Sequence, residues 1–117
     1  LILTLVRHGQ TTSNAMDTWQ GQGESSLSVL GRKQAELLAE RLAHVHFDRI
    51  VASDLSRAQQ TADALGRPYT CDPAFREINL GRWEGLTRDE VRLRFPDEAA
   101  ALKRGDPISI GGGESWG

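Results

Sequence analysis

The chain has 117 residues, enough for one small domain with its own core, and its 14 basic and 16 acidic residues leave a formal net charge of −2. That near-balance excludes a general nucleic-acid or membrane-surface binder, so any anion site has to be local. A single cysteine, Cys71, cannot form an intramolecular disulfide, and a reduced cytoplasm is the expected setting.

The opening "LILTLV" lacks a basic leader and is too short to span a bilayer. Ile2 to Val6 is instead a continuous β-rich run ended by Gly9, the pattern of a central strand covered on both faces. From Gln10 to Ser26 the composition is polar and glycine-bearing, which predicts a long loop with one short helical turn. Leu30, Leu37, Leu38 and Leu42 then recur at helical spacing, with Ser28 as N-cap. "HVHF" ends that helix, "RIVAS" reads as a short buried strand, and "DLSRAQQTADALG" as a second amphipathic helix stopped by Gly66. "RPYTC" is a weaker third strand, and "DPAFREINLGRWEG" is loop-like. Thr87 caps a helix through about Phe95, Pro96 interrupts it, "DEAAALKR" adds further helical turns, and "GDPISIGGGES" is open loop.

Strand and helix alternating in this way predict an α/β domain with a parallel sheet, whose ligands bind beyond the carboxyl ends of the strands. Arg7 and His8 end the first strand and Ser53 to Arg57 follow the second, so both segments reach the same edge. With Ser53 or Asp54 as cap, Arg57 falls in the first helical turn, where the macrodipole disfavours a cation unless an anion lies close. Two arginine forks beside a helix N-terminus suit a phosphoryl group. A histidine in that cradle can take the phosphoryl group directly, provided that its reacting nitrogen is unprotonated and a backbone carbonyl holds the proton on the other. "RHG" in isolation is equally read as a histidine that simply ends a strand.

"LVRHGQT", "LSVLGRKQAELLAERL", "SDLSRAQQTA", "REINLGRWEGLT" and "GGGES" occur in the order and approximate spacing of the histidine phosphatase superfamily. Over nearly its whole length the chain resembles that phosphoglycerate mutase-like family. The resemblance implies a three-layer α/β/α fold with a mainly parallel sheet. It implies His8 as the phosphate-accepting nucleophile, Arg7 and Arg57 as holders of the phosphoryl oxygens, and Asn14 as a further phosphate contact. It also implies Glu77 as the group that protonates the leaving oxygen and later activates water, whereas residue chemistry alone does not choose between Glu77 and Glu84. Gln20 and Gly21 would line the substrate side, although "TWQGQGESS" lacks the usual aromatic after the glycine and also reads as a plain polar loop. The implied activity is a phosphomonoesterase needing no metal or cofactor, with a small phosphorylated metabolite as partner. A phosphoglycerate-type mutase ranks below it, because the mutases carry extra basic residues after this region.

The family also carries a second histidine, followed by glycine after a later strand, and the sequence has no counterpart. His44 and His46 fall elsewhere in chain order and read as solvated. The chain therefore reads as the N-terminal part of a single, longer domain, with C-terminal elements missing and an unpaired strand edge open to self-association. A non-catalytic phosphate-binding domain is the alternative from another class. Cys71 reads as core filler, Trp83 with Gly81 and Gly85 as the shape of the turn bearing the carboxylates, and "GGGES" as an anchoring loop with Ser115 at most a peripheral contact.

Overall fold

Ser28 starts the longest helix as its residue type predicts: its hydroxyl accepts the Gly31 N–H at 3.1 Å, and α2 runs from Val29 to Leu42. In this computed structural model, which describes residues 1–115, the elements in chain order are α1 (Thr12–Ala15), α2, β1 (Val51–Ala52), α3 (Ser56–Asp63), β2 (Thr70–Cys71), α4 (Arg88–Arg94) and α5 (Pro96–Arg104). Three short 3₁₀ turns lie at Pro73–Phe75, Gly81–Trp83 and Ile110–Gly112. The chain forms two compact units, Leu1–Thr12 with Ser26–Arg76, and Ser13–Ser25 with the chain from Glu77 onward.

In the first unit β1 and β2 pair in parallel, Val51 opposite Thr70 and Ala52 opposite Cys71, with α3 as the connection between them. The buried face of α2 is not the leucine stripe. Leu30 and Leu37 are 53% and 51% exposed, and the buried positions are Gly31 and Ala35. Backbone contact is the reason: a Cβ on Gly31 would lie 1.9 Å from the Gln10 carbonyl oxygen, and one on Gly9 would lie 2.4 Å from the Gly31 oxygen. Small residues let the segment after His8 rest directly on the helix, which a leucine face would hold off. At the other end, the Arg67 guanidinium donates to the carbonyls of Leu42 and Val45 and covers the Phe47 ring at 5.4 Å, closing the helix C-terminus.

Three expectations change here. Ile2 to Val6 forms no strand among the described residues, and Leu1, Ile2, Leu3 and Leu5 are all 75% exposed or more. A continuous apolar run records the cover that a strand needs, not whether neighbours supply it. The β1 strand is half-buried rather than buried, and Cys71 is exposed rather than core, because a sheet of two short strands shields little.

The second unit packs around Leu80, Trp83, Val91 and Ile110, with Trp19 edge-on to Trp83 at 5.5 Å. Thr87 and Glu90 make a reciprocal capping box that starts α4, and Pro96 opens α5 at a position where its missing N–H is harmless. One carboxylate oxygen of Glu98 accepts both the Trp83 indole N–H at 2.8 Å and the Gly111 N–H at 3.0 Å. That bond and the burial of Ile110 make the glycine-rich stretch an anchoring loop, as expected. No described helix is long and apolar enough to cross a membrane.

Gly31→Ala tests the backbone contact. Alanine is normally favoured over glycine inside a helix by about 1 kcal/mol, yet here the added carbon meets a main-chain oxygen. The expected result is a loss of about 3 kcal/mol or more in urea unfolding; a gain in stability would show that α2 does not touch Gln10.

Candidate active site

His8 is half-buried, and its Nδ1 lies 2.7 Å from the Gly9 carbonyl oxygen. A carbonyl can only accept, so Nδ1 carries a proton, and in the neutral ring the lone pair then lies on Nε2. This is the tautomer-fixing contact expected from the sequence. The adjoining Gly9 N–H donates to Thr61 Oγ1 at 3.1 Å, and the Thr61 hydroxyl donates to the Arg57 carbonyl at 2.8 Å. In the sequence the sole sign of this contact is the spacing of Thr61, one helical turn after Arg57.

Arg57 is 3% exposed and occupies the first turn of the eight-residue α3, as expected. Its helix is capped differently, however. The N-cap is Leu55, with no side-chain cap bond. Ser53 Oγ accepts the Leu55 N–H at 3.2 Å, one step too early to cap the helix, and Asp54 is held by another partner. Both its oxygens accept from Arg76, Nε to Oδ1 and Nη2 to Oδ2, each at 2.6 Å. The Arg76 fork holds the Asp54 carboxyl below its ordinary value of 3.8.

Arg7, His8, Gln34, Leu38 and Thr61 line an open cavity of about 390 Å³, with Arg7 exposed beside the half-buried imidazole. The structure thus brings Arg7 and His8 to one cavity, and links the backbone after His8 to that of Arg57 through Thr61.

Asn14, Gln20, Gly21 and Glu77 belong to the second unit. Asn14 lies in α1, Gln20 is half-buried, and Gly21 is buried with a φ of +52° that favours glycine. Glu77 is exposed, and its carboxylate accepts the Ile78 N–H at 3.0 Å. Glu84 has a different setting: one of its oxygens accepts the Gln22 N–H at 2.9 Å and the Leu80 N–H at 3.2 Å. A Cβ on Gly21 would come within 2.5 Å of that oxygen, so the turn at Gly21 is built around the Glu84 carboxylate. Gln22 also reaches Glu114, whose carboxylate takes the Asn79 N–H at 2.5 Å. The two glutamates therefore differ in three dimensions: exposed Glu77 accepts one N–H from its neighbour, whereas half-buried Glu84 holds two N–H groups from separate segments. His44 is exposed and His46 pairs with exposed Asp48 at 3.0 Å, both in keeping with solvated histidines. Ser115 is exposed and bridges to Ser109.

Residues 3–117 match the histidine phosphatase superfamily (branch 1). The chain belongs to that superfamily. Glucosyl-3-phosphoglycerate phosphatase of Mycolicibacterium vanbaalenii is 44% identical over 117 residues, covering 97% of this chain and 52% of the relative. A probable phosphoglycerate mutase of Yersinia enterocolitica is 46% identical over 99 residues, covering 77% of this chain and 46% of the relative. Among solved structures, a mycobacterial glucosyl-3-phosphoglycerate phosphatase complexed with VO3 aligns with a TM-score of 0.82 at 39% identity, over 92% of this chain and 56% of that one. A putative α-ribazole-5′-phosphate phosphatase from Escherichia coli K-12 aligns with a TM-score of 0.88 at 28% identity, over 95% of this chain and 57% of that one. The mixed helix and parallel-strand fold of the histidine phosphatases is therefore the fold of this chain. The chain spans about half the length of the curated relatives it matches.

Two predictions follow the side-chain geometry. Glu84→Ala removes the acceptor of two backbone N–H groups and should cost about 2 kcal/mol in chemical denaturation, while Glu84→Gln, which keeps an acceptor oxygen, should cost less; equal losses would point to charge rather than to the bonds. For Asp54, the lowered folded pKa means that the pair contributes stability above 3.8 and loses it as pH falls through the folded value. Asp54→Asn should therefore be less stable than the parent near neutrality, and the gap should close in acid. A gap unchanged below pH 3.8 would show that the ion pair is not its source.

Proposed function

We propose that this superfamily member hydrolyses a small phosphomonoester through a phosphohistidine on His8. The Nδ1–H bond to the Gly9 carbonyl is the observation that carries the reading, since in the neutral ring it leaves the lone pair on Nε2, where a nucleophile needs it. The Nε2 lone pair attacks phosphorus, the bond to the ester oxygen breaks with its electron pair on that oxygen, and Glu77 supplies the proton. The glutamate, now a carboxylate, takes a proton from water as the water oxygen attacks the phosphohistidine. The P–N bond then breaks, returning its electron pair to Nε2 and releasing orthophosphate. Arg7 and Arg57 hold the phosphoryl oxygens and offset the charge that develops on them, Asn14 adds a further contact, and Gln20 and Gly21 line the substrate side.

The 44% identical glucosyl-3-phosphoglycerate phosphatase supports a phosphorylated sugar or glycerate ester as the first class of substrate to try. The probable phosphoglycerate mutase relative supports a second reading, in which the phosphoryl group returns to a substrate hydroxyl instead of water. Incubation with a phosphorylated sugar acid separates the two: free phosphate favours the hydrolase, an isomer without free phosphate the mutase.

The intact protein should take up acid-labile phosphate that is absent from His8→Ala. Labelling of that variant at the parental level would rule His8 out as nucleophile, and the absence of label on the parent would favour a phosphate-binding domain. Glu77→Gln should lower turnover of alkyl phosphates by roughly 100-fold or more and that of p-nitrophenyl phosphate, with its good leaving group, far less. Equal effects on both would move the acid elsewhere.

A further inference from the structure

We infer that Thr61 is a positioning residue for phosphoryl transfer, its hydroxyl holding the backbone after the nucleophile at a set distance from Arg57. The inference rests on the roles proposed above for His8 and Arg57. Thr61 is buried, as is Gly9, and its hydroxyl works in both directions: Oγ1 accepts the Gly9 N–H at 3.1 Å while its own proton goes to the Arg57 carbonyl at 2.8 Å. With the proton committed to Arg57, the oxygen lone pairs face Gly9, which fixes the direction of the relay.

Two further contacts give this bond a consequence at the imidazole. The Gly9 carbonyl, at the other end of the same residue, accepts from His8 Nδ1, and the Gly9 Cα rests against the Gly31 backbone. Gly9 is thus held at its N–H by Thr61, at its Cα by Gly31 and at its carbonyl by His8. Removing the Thr61 oxygen leaves a buried N–H without an acceptor, and the His8–Gly9 peptide must move to find one. That movement passes through the Gly9 Cα to the next peptide, whose carbonyl orients the ring. Thr61 also lines the cavity shared by Arg7 and His8, so its loss opens that wall to water.

The test compares Thr61→Val, which keeps shape without the hydroxyl, with Thr61→Ser, which keeps the hydroxyl, in the intact protein with p-nitrophenyl phosphate. Thr61→Val should lower kcat on the order of 10- to 100-fold with a much smaller change in KM, as misplacement of a reacting group does. Thr61→Ser should recover to within about threefold of the parent. Nitrogen-15 NMR of the neutral His8 ring should show the Nδ1–H tautomer in the parent and in Thr61→Ser, and a mixture in Thr61→Val. Thr61→Ala serves in place of valine if the larger side chain does not fold. A valine variant with lowered Tm but parental kcat and tautomer overturns the inference, as does a serine variant no better than valine. His8→Ala is run beside them: if it turns over like the parent, the phosphohistidine reading fails and takes this inference with it, whereas an inactive His8→Ala with a fully active Thr61→Val sinks the role of Thr61 alone.

Discussion

The backbone of Gly9 is the constraint on which the first unit depends. Its Cα has no side chain, so it can lie against the Gly31 main chain at a distance no Cβ would allow. That contact decides which face of α2 turns inward, places the Gly9 N–H at the hydroxyl of Thr61 on α3, and leaves the Gly9 carbonyl to the His8 ring. A single residue thereby couples two helices to the orientation of one imidazole. Regular structure contributes little to the arrangement, since the sheet has two strands of two residues each and the His8 segment belongs to neither.

The second unit solves a different problem. Its loops carry many main-chain N–H groups with no ladder to satisfy them, and buried donors need acceptors. Carboxylates take the place of the ladder. Glu84 accepts the N–H groups of Gln22 and Leu80, Glu98 those of Gly111 and the Trp83 indole, and Glu114 that of Asn79 together with the Gln22 side-chain amide. A charged acceptor forms the stronger kind of hydrogen bond and can serve two donors at once. The turn at Gly21 is one such place, its φ of +52° set against the Glu84 carboxylate. Glu77, the acid in the proposed mechanism, is spent differently, with an exposed carboxylate that takes the neighbouring Ile78 N–H.

Features written in local sequence were legible. Thr87 reads as a cap in the sequence and caps α4 in the structure, because its partner lies within one turn; the structure adds the reciprocal bond from Glu90. Ser28 and Pro96 open their helices for the same local reason. Features that depend on a distant partner were not. The leucines of α2 suggested its inner face, but the close approach of Gln10 selected Gly31, and Ala35 is buried with it. Ser53 and Asp54 looked like caps until Arg76 claimed the aspartate. Cys71 and the residues before Arg7 are apolar enough for a core, yet burial is a property of what surrounds them.

The sequence by itself determined the superfamily, the alternation of helices with parallel strands, and the shortlist of Arg7, His8, Arg57, Asn14, Glu77 and their neighbours, because motif order and residue chemistry survive without coordinates. It also suggested that a backbone carbonyl accepting from one nitrogen of His8 would fix the tautomer, and a carbonyl is there. Only the tertiary structure decided that the carbonyl belongs to Gly9, that Thr61 joins Gly9 to Arg57, and that Glu84 is tied to loop backbone while Glu77 is exposed. The deciding contacts are the distant ones, Thr61 with Gly9 at a separation of 52 positions and Glu84 with Gln22 at 62, and no local pattern encodes a meeting of that kind.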